Sequence, residues 1–159
     1  LGVPYLEEGM RRRLEDGLDL HALGEPELRR LSDELWHEHC AEVERCGKSG
    51  FVVDRSAADF GAFWLHYGLV EPALELETRL AERRARIGSY SHILLFPWGV
   101  LPLEADGVRS SNRWVQLRFQ LLLEGILARW AAPEQVLSVP GVTDLDARLE
   151  FVMGRIRPA

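Results

Sequence analysis

Residues 51–56 carry the spacing with most chemical content: Phe51-Val52-Val53 runs directly into Asp54, Arg55 and Ser56. Three apolar residues followed by an acid read as a buried strand whose carboxylate emerges at its C-terminal end. In open α/β sheets that edge is where ligands bind. Arg55 adds a planar guanidinium fork matched to phosphate oxygens. Acid and fork at one strand tip describe a magnesium–phosphate site. The plainer reading makes Asp54 the cap of the next helix and pairs Arg55 with a surface acid. Glu7-Glu8 closes an earlier apolar run, 3–6, in the same way, and its plain reading is favourable charge at a helix N-terminus. Arg109 and Arg113 follow a Pro-rich segment, placed either to close over an anionic ligand or as ordinary surface arginines.

Two further clusters imitate known sites. Gly47-Lys48-Ser49 resembles the end of a phosphate-binding loop, but the loop's first Gly would fall at Glu42, and a strand rather than a helix follows. It reads as a turn between helix and strand. His37-Glu38-His39-Cys40 has metal-binding residue types, yet neighbours on a helix point apart and only His37 and Cys40 share a face. No further ligands at regular spacing accompany them.

The elements that must position these residues alternate. A short strand at 3–6 precedes a helix at 8–16 stopped by Gly17, then a helix from Pro26 whose Leu28, Leu31, Leu35, Cys40 and Val43 keep a helical period. After the 51–54 strand come an aromatic-rich helix at 57–67 and a more charged one at 71–86. The aromatics Phe60, Phe63, Trp64 and Tyr67 read as core. A continuous apolar strand at 92–96 suits a sheet buried on both faces. A loop at 97–112, a helix at 113–130, a strand at 135–139 and a helix at 143–156 complete the chain, with Thr143 and Asp146 spaced as a capping box. Strands alternating with helices indicate an α/β fold with a largely parallel sheet, in one domain spanning 1–159.

The bulk numbers fit that class. With 159 residues, 47% hydrophobic and 28% charged, the chain can bury a working core. A net charge of -6 argues against binding along a nucleic-acid backbone, and Arg11-Arg12-Arg13 and Arg83-Arg84 read as solvated helix faces. Cys40 and Cys46 lie six residues apart on one helix, facing different sides, so a reducing cytoplasm is expected rather than a disulfide. The apolar stretch 93–103 contains Pro97, Gly99 and Pro102 and is too short to span a bilayer. No signal-peptide pattern is read. Oligomeric state is not legible.

The order of the pieces carries a resemblance. Leu6-Glu7-Glu8-Gly9-Met10-Arg11, then Phe51 to Ser56 as above, a strand and Asp106-Gly107-Val108-Arg109, and a last strand with Asp146-Ala147-Arg148 follow one another across nearly the whole chain. This resembles the AAA-type ATP-binding P-loop NTPase domains related to ribosylnicotinamide kinase, and is similar to the deoxynucleoside and thymidylate kinases. The resemblance implies a three-layer parallel-sheet P-loop NTPase-like fold, ATP and Mg2+ as cofactors, and a nucleotide plus a small-molecule substrate as partners. It implies that Glu8 orients or deprotonates the acceptor hydroxyl, and that Asp54 holds magnesium directly or through water. Arg55 and Arg11 would bind substrate, and Arg109 would approach the transferring phosphoryl group from a lid.

One departure matters. In that family a first strand and its Gly-rich loop precede the segment that begins here at Leu1, and that strand lies at the centre of the sheet, between the strands carrying Asp54 and Ile93. The expectation is therefore an N-terminally incomplete or degenerate chain, inactive alone, whose two central strand edges lack a partner. Kinase and NTPase switch are not separable here. The rival expectations are a catalytically inactive α/β interaction module and a metal-dependent hydrolase using Glu8, Asp54 and His37.

Overall fold

The computed structural model describes residues 2–102 and 112–156. Its elements run β1 (Tyr5–Leu6), α1 (Gly9–Glu15), α2 (Glu25–Cys46), β2 (Val52–Val53), α3 (Ala57–His66), α4 (Ala73–Ile87), β3 (Ile93–Leu95), α5 (Arg113–Trp130), β4 (Val136–Ser138) and α6 (Leu145–Met153). Single turns of 3-10 helix stand at Leu20–Ala22, Gly47–Ser49 and Pro133–Gln135. The long helix α2 starts with Pro26 in its first turn and Glu25 and Glu27 beside its positive dipole end. It stops where Gly47 and Gly50 adopt φ of 51 and 73, a backbone that favours glycine. Gly47-Lys48-Ser49 is thus a turn between helix and strand.

The expected single sheet is not what forms. Among the described residues there are two separate two-stranded parallel sheets, β1 with β2 and β3 with β4. Each strand has only two or three residues. Pro97 has no N–H to extend a ladder beyond β3, whose last bond is from the Val139 amide to the Leu95 carbonyl. Nor is β3 covered on both faces: Ile93 is buried, but Leu94 and Leu95 are half-buried and Phe96 just beyond is exposed. The second correction is local. The last helix is capped by Asp144, which accepts from the Ala147 amide at 2.7 Å, instead of by a Thr143–Asp146 box.

Most of the burial is helix on helix. α3 packs against α2, α4 and α5. Its residues Ala57, Ala58, Gly61 and Ala62 are small and let the neighbours approach closely. A Cβ added at Gly61 would sit 3.3 Å from Ile126 Cδ1 and 3.6 Å from Leu80 Cδ2. Around this face gather Trp36, Ile87, Tyr90, Ile93, Ile126 and Leu127. A second cluster holds Leu28, Trp64 and Leu69, where the ring of the fully buried Trp64 has the guanidinium groups of Arg79 and Arg29 at 4.6 and 5.1 Å. Arg83 is also fully buried, stacked 4.3 Å over Trp36, and burial lowers its pKa to about 10. Trp64 is core as its spacing predicts, while Phe60, Phe63 and Tyr67 are only half-buried beside the two clusters.

A buried polar relay joins α2 to the start of α3. The Ala57 amide donates to the Tyr90 hydroxyl at 3.2 Å, and that hydroxyl lies 2.9 Å from His39 Nε2. The Tyr90 hydroxyl, which accepts from Ala57, either donates to a bare Nε2 of the neutral His39 ring or accepts from its Nε2–H, according to the tautomer. Burial, with the Arg86 charge behind it, pushes the His39 pKa down to about 4, against a weaker opposing effect of Asp59. An unfolded histidine titrates near 6.5. The unfolded chain therefore binds the extra proton first. His39 contributes stability that is complete above about pH 6.5 and lost as pH falls to about 4, a change of about 3 kcal/mol. Urea unfolding across that window should show the wild type losing stability relative to His39→Phe by about this amount. Parallel pH profiles for the two proteins would contradict the assignment.

Candidate functional site

Register brings the site together. In the parallel ladder Tyr5 pairs with Val52 and Leu6 with Val53. Continuing one and two residues past the strand ends sets Glu7 beside Asp54 and Glu8 beside Arg55. Arg55 Nε does donate to Glu8 Oε1 at 3.0 Å, and its terminal nitrogen donates to Asp59 Oδ1 at 3.2 Å. The C-terminal tips of β1 and β2 share one groove of about 2410 Å³ with Phe96-Pro97-Trp98 beyond β3 and with one wall of α5. Glu8, Arg11, Asp54 and Arg55 all line it.

Local sequence explains each placement. Ser56 caps α3 by accepting from the Ala58 amide, and Asp59 returns a bond to the Ser56 amide at 2.8 Å, a full capping box. Arg55, just before that cap, has φ of 79, a left-handed backbone rare outside glycine. Its guanidinium lies 5.8 Å from the Phe119 ring centroid. Burial disfavours the charge, but Asp59 and Glu8 outweigh it and hold the Arg55 pKa above its ordinary value. Glu8, the residue before α1, keeps only 13% of its side chain exposed. α1 itself is fastened to α2 by a two-pronged Arg13–Glu38 pair at 2.6 and 2.9 Å, which lowers the Glu38 pKa.

The expected residues divide. Glu8 and Arg55 touch, and Asp54 stands exposed beside them: its amide donates to the Leu6 carbonyl at 3.1 Å, while its carboxylate forms no hydrogen bond with a described residue and adds to the charge that holds the Arg55 pKa up. It does not cap α3, since Ser56 does. Arg11 faces the same groove but bonds Glu15 at 2.9 Å along its own helix. Arg109 lies outside the described residues. Arg113 stacks at 5.2 and 5.0 Å on Trp98 and Trp114. His37 does not join this site: its Nδ1 meets the Asp33 carbonyl at 2.7 Å, and His39 is buried on Tyr90. Among the described residues no three His, Cys, Asp or Glu side chains cluster to hold a metal. Cys40 and Cys46 are free thiols.

Four contributors were not foreseen. Asp59 was legible in principle, because Ser56-x-x-Asp59 has capping-box spacing. Phe119, Arg118 and His66 had no local signal, since each reaches the groove only through the packing of α3 on α5. No family model, curated protein or solved structure matches this chain.

Asp54→Asn should leave the unfolding free energy within about 0.5 kcal/mol, because the carboxylate is exposed and acts on Arg55 only through solvent-screened charge. Glu8→Gln should cost about 1–3 kcal/mol by weakening a charged hydrogen bond to Arg55. Urea titrations of both variants check this, and equal costs would mean that the Glu8–Arg55 contact does not organise the site.

Proposed function

We propose that the chain, 1–159 as one unit, is the N-terminally incomplete part of a kinase-like P-loop NTPase domain that transfers phosphate from ATP to a small hydroxyl-bearing molecule such as a nucleoside. The observation that carries this reading is the arrival of Glu8, Asp54 and Arg55 from two adjacent parallel strand tips on one groove. Glu8, held by Arg55, is placed to orient an acceptor hydroxyl or take its proton. Arg55 and Arg11 line the acceptor side, and Arg109 is assigned to the phosphoryl group by the resemblance alone. Asp54 fits magnesium: its exposed carboxylate lines the groove and forms no hydrogen bond with a described residue, and magnesium is held by one or two such groups plus water. When bound, the ion neutralises phosphate charge.

The triphosphate is a different matter. Among the described residues no Gly-rich amide cradle faces the groove, and the sequence has no Gly-x-x-x-x-Gly-Lys-Ser or Thr. The residues present do not fit the β- and γ-phosphates. In this reading the cradle sits on a further parallel strand between β2 and β3. Those two strands have no ladder between them, although Phe51 and Tyr90 at their beginnings meet at 6.2 Å. A second reading, a catalytically inactive α/β interaction module, is favoured by one observation: Arg55 is already neutralised by Glu8 and Asp59.

Fluorescent-ATP titration with magnesium tests the proposal on this chain and on one extended by the residues encoded upstream of Leu1. The chain alone should show no measurable affinity. The extended chain should bind, and Asp54→Asn should weaken the magnesium-dependent part by about tenfold, the order of one lost charged contact. An extended chain that ignores nucleotide with Asp54 and Arg55 intact contradicts the reading.

A further inference from the structure

The far wall of the groove holds a cluster that phosphoryl transfer from ATP does not use. Arg118 of α5 makes all its described polar contacts with one residue. Its Nε lies 3.3 Å from His66 Nδ1, and one terminal nitrogen lies 3.1 Å from His66 Nε2 and 3.3 Å from the His66 carbonyl. A guanidinium has donors and no acceptor, and a neutral imidazole has one bare nitrogen. Only one of the two ring contacts is therefore a hydrogen bond. In either tautomer the other ring nitrogen carries an N–H for which no described residue supplies an acceptor. The cluster has more donors than acceptors, and no described carboxylate pairs with Arg118.

We propose that Arg118 and His66 form an oxyanion subsite of this groove and take the phosphate of a phosphate monoester. Arg118 is exposed, and its remaining terminal nitrogen has no described partner. A tetrahedral anion offers separate oxygens to the guanidinium and to the ring N–H, which gives each of these donors an acceptor. The place of the cluster is fixed by Phe119. Its ring lies 5.6 Å from the His66 ring, and Arg55 stands 5.8 Å from the same ring. One aromatic ring thus separates the subsite from the Glu8–Arg55 pair. The inference about the anion rests on the cluster alone. Its extension, that the hydroxyl acceptor near Glu8 carries its own phosphate, rests on the phosphoryl-transfer reading.

Inorganic phosphate titrated into the whole chain, followed by the His66 ring signals in NMR, tests the subsite without nucleotide. The expected result is saturable movement of the His66 signals and a rise in its pKa, which burial and Arg118 hold below the ordinary value. Arg118→Gln should weaken phosphate by about tenfold or more. His66→Phe keeps an aromatic ring against Phe119 and, followed by calorimetry, should weaken it too. Acetate at equal concentration serves as the competing anion and should bind more weakly. Phosphate that leaves His66 unmoved, binding that survives both substitutions, or preference for acetate overturns the proposal. Loss of nucleotide binding by the extended chain, with phosphate still bound here, would count only against phosphoryl transfer.

Discussion

One guanidinium holds the groove together. Arg55 joins the tip of β2 to Glu8 beyond β1 and to Asp59 in the first turn of α3, and it lies against Phe119 of α5. Four elements meet there. The backbone at Arg55 is left-handed, which for a residue with a side chain costs about 1–3 kcal/mol and persists only where surroundings enforce it. Two carboxylates and an aromatic ring enforce it here. A strand pair of two residues each has little ladder of its own, so the ion pair beyond its ends supplies part of what sheet hydrogen bonds would otherwise provide.

The charges lining the groove are unevenly mixed. On the strand-tip side Glu7, Glu8, Asp54 and Asp59 alternate with Arg11, Arg12 and Arg55, while Arg113 and Arg118 line the α5 side. Phe119 marks the boundary. A ligand that spans the two halves is therefore oriented by its charges: a bound cation or polarised hydroxyl belongs near Asp54 and Glu8, and an anion near Arg118. Such layouts act on direction of binding as much as on affinity.

Helices were largely legible in the sequence because their signals are periodic and local. Pro26 and Gly47 mark real ends, and α5 spans the range that its pattern indicates. The strands were located but not their assembly. Apolar runs such as Ile93-Leu94-Leu95 specify burial, not a neighbour, and whether a ladder forms depends on what stands beside them. Glu8 with Arg55 was the part of the site that sequence order could place, since parallel register turns two separated motifs into neighbours. Asp54 is not the helix cap because α3 begins at Ala57, which leaves Ser56 as the residue immediately before it. Arg118 and His66 were illegible because fifty-two residues separate them and only the contact of α3 with α5 brings them together. No helix among the described residues is long and apolar enough to cross a membrane.

The central claim is that Glu8 and Arg55 are energetically one unit across the strand tips. A double-mutant cycle with Glu8→Gln and Arg55→Met, measured by equilibrium unfolding, reads their coupling directly. The account predicts a coupling energy of about 0.5–3 kcal/mol, the range for residues in one ion-pair network. Additive single-mutant effects would show that the two side chains merely stand side by side, and the groove would need another organiser.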